Sequence, residues 1–383
     1  MRILVAPQEF KGSLTAREAA DAIAHGLRRA LPDAEIDAVA LADGGPGTVD
    51  VLVEATGGRY FETDVRDPLD RPVRARWGAL GENGTSEPPT AVIEMAAASG
   101  LTLLRGDERD PKRASTFGTG ELLQAALDAG YRHIIAGVGG SATNDGGAGA
   151  AQALGAQLFD EQGRDLERGG SALARLARID ASALDARLRE TNVIVATDVT
   201  NPLCGPQGAS LIYGAQKGAT EQVTRELDAA LARYAEAIRR DLGVDVANVP
   251  GAGAAGGLAA GLIAFCGATV RSGFEVVAEA IALEDRVRAV GAVITGEGRL
   301  DSQSASGKTT IAVARLAREA GRPVIALAGS VEGGTVSETA RAFDAVFALT
   351  PDLAPADVAM ARAAELLSAA AERAGVWIRE RLT

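Results

Sequence analysis

The sequence predicts an α/β protein whose central element is a doubly wound parallel sheet. The first observation is a strand–helix–strand–helix order at the amino end, beginning with the apolar run at residues 2–6. The second is the return of this alternation from residue 289. The two ends together supply five strands, the number in a small flavodoxin-like sheet. We therefore expect a discontinuous domain of residues 1–60 and 288–383, with a mixed α/β domain of residues 61–287 inserted into it.

The amino-terminal elements follow from apolar runs and helix caps. The strand at residues 2–6 is followed by a polar loop and by a helix to about residue 30, which Ser13 or Thr15 would cap. A second strand at residues 35–41 leads into the loop Ala42-Asp43-Gly44-Gly45-Pro46-Gly47-Thr48 and a short helix. Strands that are joined through helices in this way are parallel, with right-handed crossovers.

The remaining elements form the inserted domain and the carboxy-terminal part of the sheet. In the inserted domain the predicted strands are residues 60–65, 73–80, 91–95, 133–138, 157–159 and 192–197, and the longest predicted helices are residues 118–129 and 221–241. After it, predicted strands at residues 292–295, 323–328 and 345–349 alternate with predicted helices at residues 307–320 and 355–374, and residues 296–302 are predicted as a loop. Ligands of doubly wound sheets bind beyond the carboxyl ends of the strands. We therefore expect the loops that carry Lys11, Asp43, Glu297 and Asp301 to contribute to a binding site.

A glycine-rich segment at residues 137–149, Gly-Val-Gly-Gly-Ser-Ala-Thr-Asn-Asp-Gly-Gly-Ala-Gly, is the most distinctive stretch of the chain. Its six glycines are entropically unfavourable and bury little, which indicates that something approaches the backbone closely. Glycines ahead of a helix leave N–H groups that suit a phosphate or carboxylate. Ser141, Thr143, Asn144 and Asp145 add polar groups that suit a polyhydroxy substrate or a hydrated cation. The alternative is a tight turn in which Asn144 or Asp145 caps the helix.

Composition excludes several classes of function. A net charge of −12 and an aromatic content of 4% argue against a nucleic-acid partner, which would require a basic face and stacking side chains. The sequence has no apolar run of 18 residues or more, and we predict a cytoplasmic protein with no membrane partner. Two cysteines far apart and two histidines outside polar loops make disulfides, zinc sites and histidine-based triads poor interpretations.

Lysines and carboxylates point to phosphoryl transfer. Only four of the 39 basic residues are lysines, and three of these, Lys11, Lys217 and Lys308, adjoin a glycine. A compact ammonium group can reach into a crowded phosphate site. Acidic residues in or beside strand-end loops could bind Mg²⁺ or deprotonate an alcohol; they are Asp43, Asp145, Asp198, Glu297 and Asp301. Each alone could equally be a helix cap or turn residue, but together they favour phosphoryl transfer.

Two other motifs resemble nucleotide-binding signatures. Gly-Lys-Thr at residues 307–309 has no glycine at the first position of a phosphate-binding loop, where Ser302 stands, so we reject a Walker A interpretation. Residues 137–142 fit the dinucleotide fingerprint, with Asp160 about 20 residues further on. An NAD(P)-dependent hydroxy-acid dehydrogenase is therefore the alternative from another class. Against it, residues 143–147 have no role in that fingerprint.

Seven motifs in this order resemble the glycerate kinase type-1 family. They are Phe10-Lys11-Gly12-Ser13-Leu14, residues 42–48, residues 139–147, Thr197-Asp198-Val199-x-Asn201-Pro202-Leu203, Gln216-Lys217-Gly218-Ala219, residues 250–257 and Thr295-Gly296-Glu297-Gly298-Arg299. The resemblance spans nearly the whole chain. Two positions depart from the family pattern: Gln8-Glu9 stands where the family usually reads Asp-Ser, and Pro46 stands where it reads Glu.

The resemblance implies an ATP-dependent kinase of D-glycerate, with transfer to the C2 hydroxyl favoured over C3; a kinase of another small hydroxy acid is the nearer alternative. Loop placement suggests the roles. For catalysis we expect Asp198 as the base, with Lys11 and Asp145. For substrate binding we expect Ser13, Asp43, Gly140, Ser141, Thr143, Asn144 and Asn201. For the nucleotide we expect Lys217, Gly296 and Lys308, and for Mg²⁺ Glu297 and Asp301. The expected partners are D-glycerate, ATP and a second copy of the chain in a homodimer.

Overall fold

The structure is a computed structural model, and it describes residues 1–81, 88–300, 309–332, 339–349 and 360–382. The chain divides into two units. Unit 1 consists of Met1–Asp43 and Val277–Thr383, and unit 2 consists of Gly44–Val276. Within the described ranges, no helix combines the length and the apolar character needed to cross a lipid bilayer.

The described residues contain thirteen strands and twelve α-helices. The strands are β1 (Arg2–Pro7), β2 (Glu35–Ala38), β3 (Arg59–Arg66), β4 (Pro72–Ala79), β5 (Thr90–Glu94), β6 (His133–Gly137), β7 (Gln157–Phe159), β8 (Arg178–Asp180), β9 (Asn192–Ala196), β10 (Thr269–Arg271), β11 (Ala292–Leu300), β12 (Val324–Val331) and β13 (Ala345–Ala348). The helices are α1 (Ala16–Ala30), α2 (Thr48–Thr56), α3 (Ala96–Ser99), α4 (Phe117–Asp128), α5 (Ala148–Ala153), α6 (Ala209–Tyr213), α7 (Glu221–Leu242), α8 (Ala254–Cys266), α9 (Gly273–Ala280), α10 (Leu283–Arg288), α11 (Thr309–Glu319) and α12 (Ala363–Leu382).

Unit 1 is built on a five-stranded sheet in the order β2-β1-β11-β12-β13, in which every pair is parallel. Numbered within the unit, this is the order 2-1-3-4-5 of flavodoxin-like folds. Ile3 and Ile325 belong to one core with Leu27 of α1 and Leu367 of α12. Leu4, whose side chain points to the opposite face, is equally buried. Both faces are covered, and the predicted doubly wound sheet assembled from both chain ends is confirmed.

Unit 2 contains a six-stranded mixed sheet in the order β10-β9-β6-β5-β4-β3. The first four strands are parallel, and β4 and β3 are antiparallel to their neighbours. Strands β7 and β8 form a separate antiparallel hairpin. Trp77 of β4 belongs to the core of this unit. Its ring stacks on that of Phe61, with centroids 4.3 Å apart, and contacts Tyr131 edge-on. Because β5, β6 and β9 are neighbouring parallel strands, their carboxyl ends lie side by side in this unit.

Strand β11 corrects the predicted loop at residues 296–302. It continues to Leu300 because Glu297 and Arg299 pair with residues of β12. Gly296, one of the glycines that suggest a loop, is needed for this pairing, since a Cβ on it would collide with the carbonyl oxygen of Leu327. Two three-residue strands, β8 and β10, are absent from the prediction, and residues 301–308 lie outside the described ranges.

The last helix also differs from its prediction. It continues to Leu382 instead of ending at residue 374, and the predicted start at residue 355 lies outside the described ranges. Gly375 does not end the helix because it packs closely against α1, where an added Cβ would lie 2.7 Å from the Cβ of Ala30. Close helix packing thus explains a glycine that would otherwise signal a helix end.

The division into units differs from the predicted junctions at residues 60 and 288. Helix α2 belongs to unit 2, where the N–H of Val49 donates to the Glu94 carboxylate over 2.6 Å. Helix α10 belongs to unit 1, where Arg286 forms an ion pair of 2.6 Å with Asp37. The boundaries between the units lie after Asp43 and after Val276.

Candidate active site

The glycine-rich segment lies in unit 2 between β6 and α5 and is mostly buried. Residues 141–150 are buried, whereas Gly140, with φ of 74°, is exposed. Two backbone segments approach it: Gly139 donates its N–H to Gly44 (3.0 Å), and Gly146 donates to Gly256 (3.0 Å). A Cβ on Gly139 would lie 2.6 Å from the Cα of Gly45. The glycines therefore allow close contact between backbone segments, and the part that a ligand could reach is centred on Gly140.

The second glycine tract, residues 250–257, provides one of these approaching segments. Within it Ala255, Gly256 and Gly257 have φ of 56°, 66° and 88° in succession. Such a left-handed turn is unfavourable for alanine and is maintained only where the surroundings require it. Here a Cβ on Gly256 would collide with the carbonyl oxygen of Thr143, so the turn brings two backbones into direct contact.

We expect Gly256→Ala to lower the free energy of unfolding by about 2–4 kcal/mol, because it adds a collision to an unfavourable positive φ. Gly267→Ala is the matched control, since Gly267 has φ of 63° and an added Cβ would meet nothing within 4 Å. The control should lose only about 1 kcal/mol. Urea unfolding of both variants tests this expectation, and equal losses would show that the contact with Thr143 is unimportant.

Asp145 is fully buried, and its carboxylate is surrounded by donors from its own unit. Oδ2 accepts from the N–H (2.8 Å) and hydroxyl (2.9 Å) of Thr116 and from the N–H of Gly149 (3.3 Å), and Oδ1 accepts from the N–H of Gly147 (3.2 Å). Burial raises the pKa of this carboxyl and these hydrogen bonds oppose the rise. The anion at the start of α5 is therefore the chain's own carboxylate, which favours the helix-cap interpretation. A catalytic role for Asp145 remains a prediction.

Lys217 is also buried, with 1% of its surface exposed. Its Nζ donates to the carbonyl oxygen of Thr143 over 2.6 Å. Burial lowers the pKa of this amine to about 7, although the charge of Asp145 opposes the shift. The sequence predicts Lys217 as a contact of the nucleotide. In the structure its ammonium group contacts the backbone of the glycine-rich segment, and the nucleotide role remains a prediction.

Thr143 and Asn144 share this buried setting. The amide nitrogen of Asn144 donates to Ser210 over 2.8 Å. Its Oδ1, like the hydroxyl of Tyr234, is buried with no hydrogen-bond partner among the described residues. Direct contact of Thr143 or Asn144 with a substrate would require the segment to open, since neither residue is exposed. Of the residues predicted to bind substrate here, Gly140 is the exposed one and Ser141 is 8% exposed.

Asp198 lies directly after β9 and is exposed. Its Oδ1 accepts from the hydroxyl of Ser272 (2.8 Å) and from the N–H groups of Gly273 (2.9 Å) and Phe274 (3.5 Å) at the start of α9. A carboxylate at a helix start is stabilised in its charged form. The predicted position of Asp198 at the carboxyl end of a strand agrees with this geometry, and its role as a base remains a prediction.

Asn201 orders the loop that follows Asp198. Its amide nitrogen donates to the carbonyl oxygen of Gln207 (2.8 Å), and its Oδ1 accepts from the hydroxyl of Tyr213 (2.8 Å). Its own carbonyl oxygen accepts from the N–H of Gly253 in the second glycine tract (3.0 Å). These contacts favour a role in loop geometry beside its predicted contact with substrate.

In the described part of unit 1, the predicted residues lie in the loops after β1 and β2 and on β11. Lys11 is exposed, and the hydroxyl of Ser13 donates to the carbonyl oxygen of Phe10 (2.9 Å). Gln8 donates its side-chain amide to Asp43 Oδ2 over 2.7 Å and its backbone N–H to the carbonyl oxygen of Gly296 (2.9 Å). The first departure from the family pattern therefore puts a neutral hydrogen-bond donor beside Asp43.

Glu9 adds a second carboxylate to this group. Burial raises its pKa, Lys11 opposes the rise, and the charge of Asp43 adds to it. Glu297, on β11, is 7% exposed. Asp301 and Lys308, predicted for Mg²⁺ and the nucleotide, lie outside the described residues. The described part of unit 1 thus presents the exposed Lys11 among several carboxylates.

The dinucleotide alternative fails on its structural context. In that fingerprint, the acidic residue follows a strand that neighbours the first one in the parallel sheet. Asp160 instead follows β7, which belongs to a separate antiparallel hairpin, and its carboxylate accepts from the N–H groups of Gln162 (2.9 Å) and Arg164 (3.0 Å). The fingerprint also requires a helix directly after residue 142, whereas α5 begins only at Ala148.

Sequence reasoning missed Glu94, at the carboxyl end of β5. Its carboxylate accepts the N–H groups of Gly47 and Val49 at the start of α2. The available signal was its position: an acidic residue directly after the apolar run of a parallel strand.

Proteins of known family are similar to this chain over nearly its whole length. The family model described as the glycerate kinase family matches residues 3–379. A glycerate kinase from Halalkalibacterium halodurans is 47% identical over 374 residues, which cover 98% of this chain and 97% of that protein. A glycerate 2-kinase from Escherichia coli strain K12 is 48% identical over 359 residues, which cover 94% and 93%.

A solved structure agrees with the sequence comparisons. The crystal structure of a protein from Salmonella typhimurium LT2, described as glycerate kinase 2, matches with a TM-score of 0.85 and 47% identity. The match covers 99% of this chain and 98% of that one. The predictions of fold class and family are confirmed. The chain therefore belongs to the glycerate kinase family and is an enzyme of the phosphotransferase class.

Proposed function

We propose that this enzyme transfers the γ-phosphoryl group of ATP to the C2 hydroxyl of D-glycerate, which yields 2-phosphoglycerate and ADP. The observation that carries the proposal is the 48% identity, over 94% of the chain, to a protein described as glycerate 2-kinase. Exposed Lys11 and Asp198, each in a loop after a parallel strand, suit phosphoryl transfer, in which positioning and charge neutralisation supply most of the rate enhancement.

In the proposed reaction, the C2 hydroxyl oxygen forms a bond to the γ-phosphorus as the bond from that phosphorus to the β–γ bridging oxygen breaks. The Asp198 carboxylate accepts the hydroxyl proton, and ADP leaves. The cap at the start of α9 holds Asp198 in one orientation, which general-base catalysis requires. Lys11 is proposed to neutralise charge on the anionic substrates, and Gly140 and Ser141 to contact D-glycerate.

The residues of unit 1 suit a magnesium ion. Mg²⁺ prefers carboxylate oxygens and usually takes its other ligands from phosphates and water. Burial raises the Glu9 pKa, Lys11 opposes the rise and the negative charge of Asp43 adds to it, so a cation beside these carboxylates would relieve their repulsion. We propose Glu297 and Asp301 as the protein ligands. When bound, the ion would neutralise charge on the β- and γ-phosphates. The described residues contain no group of three or more acidic, histidine or cysteine side chains that could hold a metal by themselves.

ADP release from ATP and Mg²⁺ tests the proposal. We expect release to depend on D-glycerate, with L-glycerate as the control for the acceptor. A parallel reaction with tartronate semialdehyde and NADH tests the dehydrogenase alternative. Oxidation of NADH without release of ADP would overturn the proposed function.

The cytoplasmic location is part of the same proposal.

A further inference from the structure

Glu94 connects the sheet of unit 2 to the start of α2. Its Oε1 lies 2.6 Å from the backbone nitrogen of Val49, and Gly47 donates a second N–H to the same carboxylate. Gly47 has φ of 92° and precedes the first residue of α2. A helix of nine residues thus begins on a carboxylate supplied by a neighbouring strand.

The loop held in this way, residues 44–48, lies against the glycine-rich segment. Gly44 accepts the N–H of Gly139, and a Cβ on Gly44 would collide with the carbonyl oxygen of Ala196. Pro46 lies beside the exposed end of the segment, since a Cβ on Gly140 would be 3.0 Å from its Cγ. A shift at the start of α2 would therefore be transmitted to Gly140.

We propose that Glu94 is a positioning residue of this enzyme: its carboxylate fixes the 44–48 loop, and through that loop the backbone at Gly139 and Gly140. The inference rests on the proposed function, because Gly140 is one of the proposed contacts of D-glycerate. Asp145 and Asp198 also accept backbone N–H groups at helix starts, those of α5 and α9. Glu94 differs in that the loop it holds comes from a distant part of the sequence.

The charge of Glu94 is sensitive to pH near neutrality. Burial raises its pKa to about 7, the N–H groups of Val49 and Gly47 oppose the rise, Asp50 adds to it and Arg76 opposes it. Asp50 and Arg76 form an ion pair of 2.6 Å, and Arg76 lies over the ring of Tyr60. Because the folded pKa exceeds the usual 4.5, the stability that Glu94 contributes is present below pH 4.5 and is lost as the pH rises through about 7. The folded protein is thus less stable when Glu94 is charged. By this proposal, the enzyme with charged Glu94 is the active form.

Glu94→Gln separates positioning from stability. We expect kcat/KM at pH 8 to fall about tenfold or more, since small displacements of binding groups reduce rates strongly. We also expect the acid limb of activity near pH 7 to disappear, while the melting temperature at pH 8 is kept. Glu121→Gln is the matched control, because Glu121 accepts the N–H of Arg66 over 2.6 Å in the same unit. It should retain activity and pH profile.

Asp50→Asn keeps the inference testable if Glu94→Gln does not fold, and amide exchange is a second readout for folded Glu94→Gln. Asp50→Asn removes a charge that raises the Glu94 pKa, so the acid limb should move to lower pH. Amide exchange at Gly47 and Val49 reports on the contact without any substrate, and it should be at least tenfold faster in Glu94→Gln. An unchanged kcat/KM in Glu94→Gln, an unmoved acid limb in Asp50→Asn or unchanged exchange would overturn the inference. Wild-type enzyme without ADP release would instead overturn the proposed function.

Discussion

Asp198→Asn should lower kcat by about 10²–10⁴-fold while the protein remains folded, because the amide cannot accept the hydroxyl proton of the substrate. The fold should survive, since the amide oxygen of asparagine can still accept from Ser272 and Gly273 at the start of α9. Single-turnover rates of phosphoryl transfer measure the effect on chemistry apart from product release.

Ser272→Ala is the control for the Asp198 prediction. It removes one donor of the cap but leaves the carboxylate, so it should affect kcat by much less than Asp198→Asn. Retained turnover in folded Asp198→Asn would remove the base assignment. Equal losses in the two variants would assign Asp198 to the structure of α9 instead of to the chemistry.

Asp145→Asn should lower the free energy of unfolding by about 3–5 kcal/mol, as expected when a buried charge is removed from its partners. The new NH₂ group would be a donor facing the N–H donors of Thr116 and Gly149. The substitution would also remove the negative charge that attracts the buried Lys217. Urea unfolding at pH 8 measures the loss.

The control for Asp145→Asn is Asp160→Asn. Asp160 accepts two backbone N–H groups and an arginine side chain in the turn after β7, and unlike Asp145 it is paired with an exposed cation, Arg164. Its replacement should lower the free energy of unfolding by about 1 kcal/mol. If both variants lose the same amount, the buried carboxylate is not a main support of the glycine-rich segment.

The fold could be predicted to the extent that local patterns determine it. Apolar runs and caps predicted α1, and the structure gives it a capping box formed by Thr15 and Glu18. The alternation of strands and helices at both chain ends predicts the sheet of unit 1. Strand β11 was cut short because Gly296 and Gly298 signal a loop locally, whereas pairing with β12 determines the outcome. The predicted junction at residue 60 differs from the unit boundary after Asp43, because the contact of Val49 with Glu94 has no local signature.

The candidate site was predictable in composition but not in burial. The sequence shows that glycines at 137–149 and 250–257 require close approach, and it does not show that the two tracts approach each other. Lys217 adjoins a glycine, as a phosphate-binding lysine would, yet it is buried against Thr143. Such outcomes depend on which distant segments cover a residue, and no local pattern encodes that.

The most direct test of the proposed reaction is phosphorus NMR of the product formed from ATP, Mg²⁺ and D-glycerate. Transfer to C2 places the phosphate next to a single proton, so we predict a product doublet together with the signals of ADP. A triplet would mean transfer to the CH₂ hydroxyl at C3 and would contradict the proposed position. The absence of any phosphoglycerate signal, with ATP unchanged, would contradict the proposed function itself.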